Sequence, residues 1–246
     1  ARVDLDSLEA GGAEGRDDWR QLGSGDDECG DQVHSAKLRG RGEPGQSRSV
    51  AGLIESVAMP QPLVSAIVLC YNQAKYVVEC LEGVKAQDYP NLELIINDDA
   101  SRDDSAKVIE AWLKRNSISH RFLRSPTNQG LCRSLNHAIR YSRGKYISGI
   151  AADDVWLPGK LRAQVELLER LPARVGVVYS NALQVDESGN PLPQRFIESQ
   201  RQFAVMPQGN IHQALWGGNY IPAMTTLVKR ACYDQVGLFE VRQALP

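Results

Sequence analysis

The sequence predicts a Rossmann-like α/β fold with a mainly parallel sheet, and three observations carry that prediction. Short β-branched-rich runs recur from residue 63 onward, segments with apolar residues at helical spacing lie between them, and polar turn residues mark each change. Strands alternating with helices of this length make βαβ units, whose strands run parallel and whose crossovers are right-handed.

The elements follow in order. LVSAIVLC (63–70), bounded by Pro62 and Asn72, reads as a strand buried on both faces. Residues 75–87 place Val77, Leu81 and Val84 at i, i+4 and i+7, one face of a helix. Asp88-Tyr89-Pro90-Asn91 is a turn, LELIIN (92–97) a second buried strand, and Asp98-Asp99-Ala100-Ser101 a polar loop. A helix over 103–115 turns Val108 and Trp112 inward, and HRFLRS (120–125) is a weaker third strand. Asn128-Gln129-Gly130 opens another helix, with Leu131, Leu135, Ala138 and Ile139 on its inward face; Gly144 closes it, and KYISGI (145–150) is a fourth strand.

The first 58 residues are different. They hold ten of the chain's 21 glycines, one aromatic residue, and ten Leu, Ile or Val. That is below the roughly 20% at which a segment can bury enough apolar surface to fold. Twelve acidic and seven basic residues make this segment acidic, and RGRGEPGQSRS (39–49) reads as flexible linker. Met59 is the first methionine. Residues 1–58 are therefore expected to be a disordered or non-native extension of a domain covering 59–246.

Composition excludes several classes. A net charge of −2 gives no basic field for a dedicated nucleic-acid binder. No apolar run approaches a membrane span, and the opening residues lack a secretory pattern. Five cysteines without a CxxC pair argue against a zinc site and a disulfide framework, and suit a reducing cytosol. A cytoplasmic protein is the expectation.

Three strands end in conspicuous polar groups: the first in Tyr71-Asn72, the second in Asp98-Asp99, the fourth in Asp153-Asp154. Open α/β sheets bind ligands beyond the carboxyl ends of their strands. Each group has a bland reading too, since paired aspartates also cap helices and close turns. Together they suit a metal-assisted nucleoside-diphosphate site. Carboxylates hold Mg²⁺ or Mn²⁺ shared with substrate phosphates, an aromatic ring stacks on a base, and a further carboxylate accepts from a base or ribose. There is no GxGxxG after the first strand and no GxxxxGK[ST], so a metal rather than glycine-loop amides is expected to neutralise the diphosphate.

These residues resemble a known family. VSAIVLCYNQAKYVVECLEGVKAQDYPNLELIINDDASRDDS (64–105) looks like the opening of family 2 glycosyltransferases, which have the GT-A fold. NQGLCRSLNHAIRYSRGKYISGIAADDVWLPGKLRAQVELLE (128–169) is similar to the central block, and VGVVYSNALQVDESGNPL (175–192) and Gly218 to Phe239 to later segments. The resemblance implies a Rossmann-like GT-A fold and a glycosyltransferase that moves a sugar from a nucleotide-diphospho-sugar, UDP favoured, to an acceptor hydroxyl with inversion. It also implies a Mn²⁺ or Mg²⁺ cofactor and a sugar or lipid-linked acceptor, in polysaccharide or glycolipid synthesis. A lipid-linked acceptor would place the protein at the inner face of the membrane.

Carried over residue by residue, the resemblance puts Tyr71 against the base with Asn72 beside it, and Asp99 on the base or ribose. Asp153 lies by the ribose and Asp154 binds the metal. Arg133 is a donor-diphosphate candidate, against the alternative of a solvated helix-face arginine. Trp156, Pro158, Lys160 and Leu161 are read as helix start and packing. The chain departs from the pattern in two places: Ala151 stands where an additional Asp is frequent, and no catalytic-base segment follows Gly237-Leu238-Phe239-Glu240. The domain is thus expected to be C-terminally incomplete, with the catalytic residue unknown. Asp186 reads as a hairpin turn, and Glu240 is no better a base. His212 and Trp216 are candidates for an acceptor site, with Trp216 expected in the core; His120 and His137 read as ordinary residues.

Two other readings stay open: a non-catalytic remnant that still binds nucleotide, and a nucleotidyltransferase. The latter should carry a glycine-rich basic loop after its first strand, and CYNQAKY has none.

Overall fold

The computed structural model describes residues 2–3, 9–12, 61–186, 189–200 and 207–241. Its centre is four parallel strands: β3 (Val64–Cys70), β4 (Leu92–Asp98), β5 (His120–Arg124) and β6 (Tyr146–Ala151). β3 sits in the middle and pairs in parallel with β4 and β6, and β4 carries β5 on its far side.

Beyond β6 the sheet turns antiparallel. β9 (Leu227–Lys229) pairs antiparallel with both β6 and β7 (Val175–Tyr179), and β2 (Glu9–Gly12) pairs antiparallel with β7. A separate two-stranded ladder joins β1 (Arg2–Val3) to β8 (Ala182–Leu183). β1 and β2 fall within the segment expected to be an extension; the rest of that expectation lies outside the described residues.

Helices cover both faces of the sheet, as the continuous apolar runs require. Side chains alternate along β3: Val64, Ala66 and Val68 enter the larger core cluster, while Ile67 enters a smaller one on the opposite face. On the larger side pack α1 (Val77–Lys85), α2 (Ser105–Arg115) and α4 (Lys160–Arg170), through Leu81 and Val84, Ile109 and Trp112, and Leu161, Val165 and Leu168. On the other side α3 (Leu131–Tyr141) packs Ala138 and Ile139 against Ile67, Ile95 and Ile147, with Tyr233 of α7 (Arg230–Val236) beside them. A third cluster joins Tyr179, Ile197 of α5 (Phe196–Gln200), Ile211 and Tyr220.

α1 and α2 begin two residues after the sequence places them, at Val77 and Ser105. Leu131 departs from expectation: placed on the inward face by its spacing, it is 66% exposed and lines a cleft at the start of α3. No helix among the described residues is long and apolar enough to cross a membrane.

Candidate functional site

Strand register sets the site. Cys70 pairs with Asp98 and Leu69 with Ala151, so β3, β4 and β6 end nearly level and release their next residues at one edge. Backbone bonds extend the alignment, from Asp99 N to Cys70 O (2.9 Å) and from Ala152 N to Leu69 O (2.9 Å). Tyr71, Asp99 and Asp153 consequently line a single cleft of about 290 Å³, with Gln73, Asn97, Asn128 and Ser134 also on its wall. The three strand ends meet as the sequence suggests.

Two loops form the rim. Asn72 has a left-handed backbone (φ 55°), which asparagine tolerates better than most residues. Its N–H donates to Ser101 Oγ (2.9 Å), and its side-chain oxygen accepts from Arg102 N (2.8 Å). Asn72 thereby ties the loop after β3 to the loop after β4. Asp103 continues the seam by accepting from Ala74 N at 3.0 Å and from Ser105 N at the start of α2.

Asp99 is buried and engaged. Its Oδ1 accepts from Gln129 N (2.9 Å), and its Oδ2 accepts from Gly130 N (2.8 Å) and, more distantly, Gln129 N (3.1 Å). The carboxylate therefore holds the turn that launches α3. Gly130 has φ 82°, a conformation that suits glycine there.

Asp153 and Asp154 follow Ala152 and diverge. Asp153 is exposed on the cleft, where Gln73 Nε2 donates to its Oδ2 at 3.3 Å. Asp154 is half-buried on an adjoining apolar cavity of about 240 Å³, among Leu135, Ile150, Met224, Tyr233 and Phe239. Leu69, Leu131 and Ala151 border both spaces. Burial pushes the Asp154 carboxyl above its ordinary range, and the charge of Asp153 acts the same way. Among the described residues, no three His, Cys, Asp or Glu side chains gather as metal ligands.

The remaining candidates separate. Arg133 does not line this cleft; it lines a neighbouring one with Asn136, His137 and Arg140. The reason is helical phase: positions 133, 136, 137 and 140 share one stripe of α3, whereas Leu131 and Ser134 face the first cleft. Trp216 corrects an expectation, because it is 85% exposed instead of in the core. The short helix α6 (His212–Trp216) buries none of its residues fully, and Trp216 leaves it beside His212 with ring centroids 5.9 Å apart.

Asp186 closes a hairpin turn as expected, its carboxylate accepting from Asn190 N (2.9 Å) and Nδ2 (3.1 Å). Glu240 is exposed. His120 Nδ1 meets Ile118 O, and His137 Nδ1 lies 3.2 Å from Asn97 Oδ1. Lys160 does pack: it is fully buried, donates to Ser148 Oγ (2.8 Å) and lies 4.2 Å from the Trp156 ring centroid. Burial holds its amine well below the ordinary lysine range.

The structure adds Gln73, Asn97, Asn128 and Ser134 to the cleft. Asn97 had a signal in the sequence, as a lone amide inside the apolar run LELIIND, and it is wholly buried. Its Nδ2 and Ser134 Oγ have no hydrogen-bond partner.

The family model described as "Glycosyl transferase family 2" matches residues 65–233. An uncharacterized glycosyltransferase of Rickettsia prowazekii (strain Madrid E) is 27% identical over 184 residues, covering 73% of this chain and 54% of that protein. Among solved structures, the mannosyltransferase PcManGT of Pyrobaculum calidifontis, in complex with GDP-Man and Mn²⁺, aligns with a TM-score of 0.54 at 20% identity, over 74% of this chain and 48% of that one. S. aureus TarS 1–349 in complex with UDP-GlcNAc aligns with a TM-score of 0.51 at 19% identity, over 71% and 47%. Both structures show the GT-A fold shared with this chain. The chain spans about half the length, or less, of the first curated relatives it matches.

Proposed function

The chain belongs to glycosyl transferase family 2, and from that premise we propose that its cleft binds a nucleoside-diphosphate sugar and presents the sugar to an acceptor hydroxyl. One observation carries the reading: Tyr71, Asp99 and Asp153, from the ends of three adjacent parallel strands, line one cleft, with Asp154 next in sequence.

The residues divide the work. The exposed Tyr71 ring offers a stacking face to the base. Asp99 spends most of its acceptor capacity on the turn before α3, and Oδ1 keeps a lone pair for a base or ribose donor. Asn72 holds the two rim loops together. Asp153, on the cleft, would lie by the ribose, and Asp154 would hold Mn²⁺ or Mg²⁺. With no group of three His, Cys, Asp or Glu ligands among the described residues, a hard cation at Asp154 would complete its shell with water and substrate phosphates. The crowded, partly buried Asp154 carboxyl gains from a neighbouring cation. Such a cation, when bound, supplies Lewis-acid stabilisation of the leaving diphosphate.

Transfer would proceed by single displacement, with the acceptor oxygen attacking the anomeric carbon opposite the leaving nucleotide and inverting it. The base that takes the acceptor's proton is unassigned. A sugar or lipid-linked acceptor would place the reaction in polysaccharide or glycolipid assembly, at the cytoplasmic face of a membrane in the lipid-linked case. The nucleotide bound to TarS makes UDP the first donor base to test.

Calorimetric titration of the chain with UDP, with and without Mn²⁺, tests the reading against Asp154→Ala. Metal-dependent binding that the substitution abolishes is expected. Silence from UDP, GDP and dTDP in a folded protein would reject the donor site.

A further inference from the structure

From His120 to Ala152 the sequence holds six Lys or Arg residues and no Asp or Glu, in a chain whose net charge is −2. Three of the six are paired: Arg124 with Glu110 (3.4 Å), Arg143 with Glu93 (3.1 Å) and Lys145 with Glu169 (2.6 Å). Arg121 lies over the Tyr141 ring, 5.4 Å from its centroid. Arg133 and Arg140 have no carboxylate partner among the described residues.

These two arginines share the stripe of α3 that also carries Asn136 and His137, and the stripe lines a cleft of about 560 Å³. Arg124, Ser125 and Pro126 bring the end of β5 to it, and Val241 lines it from the segment after α7. That segment is anchored: Asn136 Nδ2 donates to Phe239 O (2.8 Å), and Phe239 N donates back to Asn136 Oδ1 (3.0 Å). The cleft is therefore built from chain segments more than 100 residues apart. Among the described residues three guanidinium groups line it, and no carboxylate does.

We propose that this cleft binds a phosphate-ester or diphosphate group, at a site separate from the one at Asp153 and Asp154. Guanidinium forks match phosphate oxygens in geometry, and a phosphate ester carries about −1.5 to −2 charge at neutral pH. A single carboxylate ligand would leave most of the positive charge unbalanced. Without acidic side chains to hold a cation, the site works without metal. Gln129 also lines the cleft, and its N–H is held by Asp99, so the bound anion lies just across the α3 turn from the donor cleft. This position suits a phosphorylated acceptor, either soluble or part of a lipid headgroup. The inference stands even where the donor reading fails.

The test titrates inorganic pyrophosphate into the full chain in EDTA, by calorimetry and phosphorus NMR. Binding should appear without metal, weaken at least about tenfold in Arg133→Gln/Arg140→Gln, where two charge-assisted contacts are lost, and persist in Asp154→Asn. Both arginines are exposed, and circular dichroism checks that the variant folds as the parent does. No binding in EDTA, unchanged binding in the double variant, or loss of binding in Asp154→Asn would each overturn the proposal. Cosedimentation with phosphatidylcholine vesicles, plain or mixed with phosphatidic acid, separates the sources. Capture by the acidic vesicles that pyrophosphate competes away supports a headgroup, whereas pyrophosphate binding without capture supports a soluble ligand.

Discussion

The two edges of the central sheet treat buried polar groups in opposite ways. At the amino-terminal edge, buried Glu93 accepts from Ser65 Oγ (2.6 Å), Arg143 Nε (3.1 Å), Gly144 N (3.2 Å) and Arg143 N. The backbone is pressed so close that a Cβ on Gly144 would stand 2.6 Å from Ser65 N. At the carboxyl-terminal edge, Asn97 Nδ2, Asp98 Oδ1 and Ser134 Oγ are buried without partners. Asn72 (φ 55°) and Ala100 (φ 59°) hold left-handed backbones there. One edge is closed and satisfied, whereas the other keeps unmet hydrogen-bonding capacity and backbone strain beside a cleft. Unsatisfied groups and strain cost stability and concentrate where a ligand is to be met.

Exchanging a carboxylate for an amide at each edge tests that contrast most strongly. Glu93→Gln turns an acceptor of four contacts into a group whose NH₂ opposes N–H donors, and a loss of about 3 kcal/mol is expected in urea denaturation. Burial alone would raise the Glu93 carboxyl, but the hydrogen bonds from Ser65 and Arg143 and the guanidinium charge outweigh it, so the value is lowered from 4.5. Its contribution is present above that unfolded value and is lost as pH falls through the lowered folded one. The variant should therefore have a flatter acid limb in stability against pH. An unchanged limb would mean the network is not what closes this edge.

A smaller effect of opposite sign is expected from Ala100→Gly. Relief of the left-handed strain exceeds the entropy glycine adds to the unfolded chain, for a gain of about 0.5 kcal/mol in thermal denaturation. Asp98→Asn should change stability least, within about 0.5 kcal/mol, because among the described residues its carboxylate accepts a single long bond, from Ser101 N at 3.3 Å, and Oδ1 has no partner to lose. A loss as large as that of Glu93→Gln would erase the distinction between the edges.

Sequence by itself determined the order of strands and helices from β3 to β6. β-branched runs and helical spacing are local signals, and a buried parallel sheet demands the continuous apolar strands that LVSAIVLC and LELIIN supply. It also determined that Tyr71, Asp99 and Asp153 meet, because parallel strands deliver their carboxyl ends to one edge whatever the side chains beyond them do. Tertiary structure alone decided what depends on rotation and long-range pairing. The phase of α3 sends Arg133 to a basic cleft and Ser134 to the cleft at the strand ends, although they are neighbours in sequence. Antiparallel insertion of β9 between β6 and β7 joins strands some 50 to 80 residues apart, which no local pattern encodes. Asp99 shows both sides: its place at the strand end is local, but its bonds to Gln129 and Gly130 need a partner 30 residues away. A hydrogen bond is satisfied by whatever the fold brings near, and only the fold decides what that is.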